Sequence, residues 1–190
     1  MVAFPTPEWL DAYVKKLNEN EEMEKAGKGW GVDWNGDFIF QIDDLPLDKI
    51  EKVEQMASEG NEKELTEIAG KLGMSMEEGF KFIQKLEDLI SNYADGKTVY
   101  TFVGLKDGKC TGGRVIKSPD EVEVGFKLIG TYENWKKMVK GESDATKLVL
   151  TRKMMLEGKM STIMKYMKAT QIMGRVASEV PTEFLDEIVG

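Results

Sequence analysis

The sequence predicts a mixed α/β (α+β) fold, one globular domain interrupted by a helical excursion. Three observations predict it. Apolar residues alternate with period two near residues 38–42 and again from 98 to 129. Between residues 45 and 94 they recur instead every three or four positions, and a helical spacing returns in the C-terminal third. The chain has 190 residues, 41% of them hydrophobic and 32% charged, which is long enough for a continuous core and ordinary for a folded domain.

Taken in order, Pro7 and Glu8 open an amphipathic helix over residues 7–19, with Trp9, Leu10, Tyr13, Val14 and Leu17 on one stripe. Residues 21–25 extend it or form a second short helix, and Gly27, Gly29 and Gly31 stop helical structure. That glycine-rich run superficially suggests a phosphate-binding loop. Without a strand before it and a helix after it, a plain turn is expected. Asn35-Gly36 is a turn signal, and Phe38, Phe40 and Ile42 then alternate with Ile39 and Gln41 as in a half-buried strand.

Residues 45–96 read as a helical insert. Ile50, Val53, Met56 and Ala57 share a face; Leu65, Ile68, Ala69 and Leu72 mark a second helix; Phe82, Ile83, Leu86, Leu89, Ile90 and Tyr93 mark a third. Asn61 with Glu64 and Ser75 with Glu78 have the spacing of capping boxes. From Lys97 the period returns to two. Segments 98–105, 110–117 and 121–129 predict an antiparallel meander turned at Asp107-Gly108 and Ser118-Pro119-Asp120, with Val122, Val124, Phe126 and Leu128 on one side. Then follow a helix over 132–139, one from about Ser143, a short strand over 153–159 and a long helix from Ser161 to about Val180, ended or kinked by Pro181. Phe184, Leu185 and Ile188 suit a short terminal helix. The expected organisation is a domain of residues 1–44 and 97–190 with the insert 45–96 between its halves.

Composition excludes several functions. There is no histidine, which removes the commonest general base near neutral pH and the commonest metal ligand. Cys110 is the single cysteine, so no internal disulfide or thiolate cluster can form, and it reads as a small buried apolar residue. Adjacent carboxylates such as Asp43-Asp44 and Glu77-Glu78 diverge in direction and make no acid/base pair. A non-catalytic protein with no cofactor and no metal is expected. The start Met1-Val2-Ala3-Phe4-Pro5 has no signal-peptide pattern, and no apolar stretch reaches the ~18 residues of a membrane span. The end, Asp186-Glu187-Ile188-Val189-Gly190, is no peroxisomal or retention signal. A soluble, cytoplasmic protein is the expectation.

The net charge of −8 is unevenly spread. Residues 43–95 alone carry −8, whereas residues 135–175 hold ten basic side chains against Glu142, Asp144 and Glu157. Basic residues interleaved with Met, Leu and Trp suit anionic lipid headgroups or the phosphates of an activated acyl chain; a solvated face balancing the insert is the alternative.

The closing segment carries a resemblance. Trp135 within Thr131-Tyr132-Glu133-Asn134-Trp135, then Gly141-Glu142-Ser143-Asp144-Ala145, then Leu156-Glu157-Gly158-Lys159-Met160-Ser161-Thr162-Ile163-Met164-Lys165, resembles the last part of the sterol carrier protein type-two family. There a strand with an apolar residue, a spaced Gly and a spaced Met leads through a later Met-Lys into the final helix. The likeness covers roughly residues 5–42 and 97–175 and departs from the family at the insert. It implies a twisted, mainly antiparallel five-stranded sheet covered by helices. It also implies an apolar tunnel for a hydrophobic ligand: a fatty acyl chain, acyl-CoA, sterol or phospholipid.

The site this implies is the inward side of the sheet, Phe38, Phe40, Phe102, Val124, Phe126 and Leu128, with Trp135, Leu156, Met160, Met164 and Met167. Phe80, Phe82 and Leu86 of the insert are candidates for a lid. Among the twelve Met residues, Met154, Met155, Met160, Met164, Met167 and Met173 crowd the last strand and helix. Flexible, polarizable thioethers suit a cavity that accepts variable ligands, and equally an irregular core. The alternative function is a protein-interaction module acting through the acidic insert. A helix-turn-helix over 62–90 is disfavoured, because segment 75–90 has Lys81 and Lys85 against four acids while phosphate contacts need positive charge, so no nucleic-acid partner is expected.

Overall fold

The structure, a computed structural model, describes residues 1–188, without the side chains of Val53, Ala57, Glu64 and Ile188. The expected packing of Val53, Ala57 and Ile188 and the Glu64 half of a capping box lie outside the described residues. Helix α1 (Pro7–Glu19) is capped by Thr6, whose hydroxyl accepts from the Trp9 N–H at 3.3 Å, and Pro7 sits in its first turn, where a missing N–H costs nothing. Asn20 ends α1 and caps α2 (Glu21–Ala26) by accepting from Met23 N–H at 2.9 Å. The glycine-rich run that follows is a turn. It buries Trp30, whose indole N–H donates to the Gly36 carbonyl at 2.7 Å.

Preceding α1 is β1 (Val2–Phe4), and after the turn comes β2 (Phe38–Asp43). The latter is the middle strand of a five-stranded sheet, completed by β3 (Val99–Lys106), β4 (Lys109–Ile116), β5 (Phe126–Thr131) and β6 (Met154–Glu157) in the order β4-β3-β2-β5-β6. All neighbouring pairs are antiparallel except β2 with β5. The mainly antiparallel five-stranded sheet is therefore as expected, but the continuous meander is not. After β4, a 3-10 turn at Pro119–Glu121, capped by Ser118, starts the chain across the sheet, and the third segment becomes a strand only at Phe126. It lies on the far side of β2.

Ile42 pairs with Val99, so the insert fills what would otherwise be a β2-β3 hairpin connection. It consists of α3 (Leu47–Ser58), α4 (Glu62–Lys71) and α5 (Met76–Tyr93). Ser75 and Glu78 form the expected capping box of α5, whereas Asn61 caps α4 without a side-chain bond. Ile50, Leu65, Ile68, Leu72, Ile83, Leu86 and Leu89 are buried in the same apolar cluster as the inner face of the sheet. These three helices thus share one core with the sheet, and Lys85 of α5 is paired to Glu8 of α1 at 2.6 Å.

The C-terminal third supplies α6 (Tyr132–Val139), α7 (Ala145–Leu150), α8 (Met160–Lys165), α9 (Met167–Ser178), β7 (Thr182–Phe184) and α10 (Leu185–Ile188). The long final helix expected over 161–180 is broken at Tyr166 (φ −111°, ψ 29°). The Tyr166 ring lies 5.3 Å from that of Trp30 and 6.2 Å from that of Trp34, so packing on the buried glycine turn overrides a continuous helical sequence. β1 and β7 pair in parallel and were not anticipated. Three residues are too few to display a period.

Candidate functional site

Alternation on β2 places Phe38 and Phe40 toward the helical layer and Ile39 away from it. Register then carries that face across the sheet: Phe40 is opposite Leu128 on β5, and Leu128 is opposite Leu156 on β6. These three residues and Phe38 floor a cavity of about 310 Å³ between the sheet and the closing helices. Its walls are Trp9 and Tyr13 of α1, Trp135 and Met138 of α6, Ala145, Thr146, Val149 and Leu150 of α7, Met160, Ile163 and Met164 of α8, and Met167, Thr170, Met173, Gly174 and Ala177 of α9.

The lining is nearly free of available polarity. The Trp9 indole donates to Thr182 Oγ1 at 2.8 Å and the Trp135 indole to the Gln41 carbonyl at 2.9 Å, while the Thr170 hydroxyl donates back to the Met167 carbonyl at 2.9 Å. Among the described residues, Tyr13 is the sole ionisable side chain of the lining. Burial holds its phenol far above its ordinary value, and its hydroxyl donates to the Met173 carbonyl at 3.2 Å. Such a space can accept hydrocarbon but offers nothing to neutralise a buried charge.

One side of the cavity reaches solvent. Leu150 is 78% exposed, Met164 65%, Met160 47% and Met167 42%, and all four line it. They mark the mouth, at the end of α7 and along α8 and the start of α9. Among the described residues no group of histidine, cysteine or acidic side chains could hold a metal ion, and no helix is long and apolar enough to cross a membrane. Cys110 is buried, and burial pushes its thiol up.

Of the residues expected to form the site, Phe38, Phe40, Leu128, Trp135, Leu156, Met160, Met164 and Met167 come together around this cavity. Phe102 does not. It pairs with Ile39 across the β2-β3 ladder and so lies on the opposite face, with Arg114 5.4 Å from its ring centre. Val124 is on that face too. The N–H groups of Gly125 and Phe126 both donate to the Asp37 carbonyl, at 3.1 Å each, and this doubled contact breaks the alternation between Val124 and Phe126. Phe126 has the inward orientation but is covered by Trp30 and Trp34, with ring centres 5.3 and 6.2 Å away. It lines a separate groove on the other face of α8, beside Ser161, Thr162 and Lys165.

The lid residues are also displaced. Leu86 is buried in the core, Phe82 borders a hollow formed with the N-terminal residues and α5, and Phe80 is exposed, so none of the three takes part in the cavity. Trp9, Tyr13, Met138, Ile163 and Met173 line the site without having been singled out for it, although the apolar stripe of α1 already required a docking partner.

Residues 81–171 match the model of the SCP-2 sterol transfer family. The resemblance to sterol carrier proteins of the type-two family is thus found independently over the segment from α5 into α9. Two solved structures share the fold. A conserved hypothetical protein of Thermus thermophilus, described as a possible sterol carrier protein, is 18% identical with a TM-score of 0.61, the alignment covering 96% of this chain and 93% of that one. A sterol carrier protein 2 is 20% identical with a TM-score of 0.58, covering 92% and 97%. No curated protein matches the sequence.

Proposed function

We propose that this chain, similar to the SCP-2 sterol transfer family over residues 81–171, is a non-catalytic carrier that holds the apolar part of a lipid in its cavity. One observation carries the reading. The space between sheet and helices is almost wholly apolar, opens to solvent through Leu150, Met160, Met164 and Met167, and takes Leu128, Trp135, Leu156 and those four residues from the matched segment. A ligand of this site keeps its hydrocarbon inside and its polar head at the mouth, because a charge drawn inward would find no partner. That suits a fatty acyl chain, an acyl-CoA, a sterol or a phospholipid.

The chemistry of the lining supports binding without turnover. The Tyr13 phenol is bonded to backbone and held neutral, and among the described residues no carboxylate or amine enters the cavity. Met138, Met160, Met164, Met167 and Met173 give the walls side chains that change shape at little cost, as a carrier of variable ligands needs. We place the carrier in the cytoplasm, where a lone buried thiol stays reduced.

Native mass spectrometry and solvent extraction of the purified protein should reveal bound lipid, and a fluorescent fatty acid should bind and be displaced by unlabelled ligand. Ala145 and Thr170 line the cavity and are only partly buried, so Ala145→Trp with Thr170→Phe adds bulk inside it, with circular dichroism to check that the fold is kept. This pair should weaken probe binding by at least about tenfold, the loss of roughly 1.4 kcal/mol of apolar contact. Lipid-free protein that binds no probe, or a filled cavity that binds as well as the open one, defeats the reading.

A further inference from the structure

We infer that the acidic helical insert of one copy of this chain docks on the cavity mouth of a second copy, so that the molecule assembles head to tail and each docked insert covers a mouth. Two surfaces of unlike charge, far apart in the sequence, carry the inference. Around the mouth, Leu150, Met160, Met164 and Met167 stand substantially in water. The segment bearing them, residues 145–168, also has Lys147, Arg152, Lys153, Lys159, Lys165 and Lys168, with Glu157 as its one acidic residue. All six cations are exposed, and none forms an ion pair among the described residues.

The insert is the opposite pole. Its own lysines do little to neutralise it: Lys81 pairs with Glu77 inside the insert, but Lys85 is taken by Glu8 of α1 and Lys49 donates to the Asp186 carbonyl. Glu51 and Glu54 of α3 and Glu87 and Asp88 of α5 form no ion pair among the described residues. Burial, then the nearby carboxylates of Glu87 and Glu51, hold the Glu54 carboxyl above its ordinary value, so like charges face one another across these two helices. Beside them, Met76 and Phe80, one turn apart on α5, are each 39% exposed. Both poles thus join unpaired charge to large apolar side chains in water, a combination that marks an interaction surface.

Charge complementarity selects the second copy. Residues 43–95 carry −8, the segment 145–168 carries six cations against one acid, and every copy supplies both surfaces in equal amount. The poles do not meet within one molecule, since among the described residues none of the insert lines the mouth and no ion pair joins insert and rim. The net charge of −8 on each copy opposes approach at long range. At physiological salt, however, charges act over only about 8 Å, so the facing patches decide. Contact between two different surfaces is heterologous: the first copy keeps a free mouth and the last a free insert, and assembly grows with concentration.

The test is sedimentation velocity of the full chain from micromolar to near-millimolar concentration, at about 0.1 M and about 0.5 M NaCl. Wild type should assemble as concentration rises at the lower salt and much less at the higher. The rim variant Lys159→Gln/Lys165→Gln/Lys168→Gln and the insert variant Glu51→Gln/Glu87→Gln/Asp88→Asn should each associate about tenfold more weakly, the loss of three exposed ion pairs. Mixed in equal amounts, the two should form a complex of two copies and stop there, because the first supplies an intact insert and the second an intact mouth. Lys15→Gln/Lys106→Gln/Lys117→Gln removes the same charge elsewhere and should assemble as wild type does. Phe80→Ser keeps every charge and should weaken assembly at both salts. Circular dichroism checks that each variant is folded.

Only the consequence for cargo rests on the carrier reading. If the mouth is covered, the rate at which each copy takes up a fluorescent fatty acid should fall as wild type assembles and stay constant for the rim variant. Uptake unchanged by assembly overturns docking at the mouth, whereas salt-sensitive assembly of a protein that binds no probe upholds the docking and defeats the carrier reading. A chain that stays monomeric, equal loss in the control variant, or two variants that do not combine overturns the inference. So does a monomer whose rim binds heparin or anionic vesicles instead, which assigns the cations to another anion.

Discussion

Two side chains and one glycine show how single residues set the frame of the site. At Gly125 a Cβ would lie 2.0 Å from the Asn35 carbonyl oxygen, a backbone atom that cannot move away. Asn35 is itself held, donating from Nδ2 to the Glu123 carbonyl and accepting from the Asp37 N–H, both at 2.9 Å. Gly125→Ala should therefore cost about 3 kcal/mol or more in urea unfolding, a large effect for one methyl group. Lys136, nearly buried, donates to Asp186 and to Glu187, and its ammonium lies 5.4 Å from the centre of the Phe184 ring. Burial, the largest single effect, would raise the Asp186 carboxyl, but the hydrogen bond and charge of Lys136, with hydrogen bonds from backbone and from the Tyr132 hydroxyl, together outweigh it and the carboxyl titrates below its ordinary value. A lowered carboxylate stabilises above its unfolded value of ~3.9 and loses that contribution as pH falls through the folded one. Lys136 is raised, burial being outweighed by the bonds to Asp186 and Glu187, so its contribution is lost only as pH climbs past the lysine range. Lys136→Ala should thus cost about 2 kcal/mol near neutral pH, and its gap from wild type should close below about pH 4. A gap independent of pH in that window would show that the ion pair contributes nothing.

At the scale of elements, α8 and α9 are the informative case. The apolar spacing over 160–178 allows one uninterrupted helix, and only the contact of Tyr166 with Trp30 and Trp34 divides it. Helix α9 has Gly174 in its interior, facing the cavity, where a Cβ would meet Ala145 Cβ at an ordinary 3.8 Å. Gly174→Ala should raise stability by about 0.5–1 kcal/mol through helix propensity while narrowing the cavity by one methyl group. Thermal unfolding reads the gain, and probe titration reads a modestly weaker affinity for long-chain ligands. A stabilised variant with unaltered affinity would place the ligand away from α9.

For the molecule as a whole, the position of residues 45–96 has the largest consequence. Ile42 and Val99 are already partners in the ladder, and no described residue of the insert lines the cavity. Replacing 45–96 by a two-residue Asn-Gly turn should therefore leave the sheet and the fatty acid probe affinity in place, since such a turn suits adjacent antiparallel strands. Stability should fall, because the insert buries Leu65, Ile68, Ile83 and Leu89 in the common core and Lys49 donates to the Asp186 carbonyl at 3.1 Å. Loss of probe binding with the sheet intact by circular dichroism would mean that the helices act on the cavity from outside it.

By itself the sequence determined the kind and order of most elements, because periods of two and of three to four residues, turn pairs such as Asn35-Gly36 and the Ser75 capping box are local signals. Several cavity-lining residues were legible for the same reason: Phe38, Phe40, Leu128 and Leu156 follow from alternation on clear strands. Register, crossings and breaks were decided by the tertiary structure. Which face Phe102 takes depends on its pairing with Ile39, the turn to Val124 depends on the shared Asp37 carbonyl, and the division at Tyr166 depends on two tryptophans far away in sequence. Each rests on contacts between segments distant along the chain, and the choice between them is made by the free energy of packing those segments together.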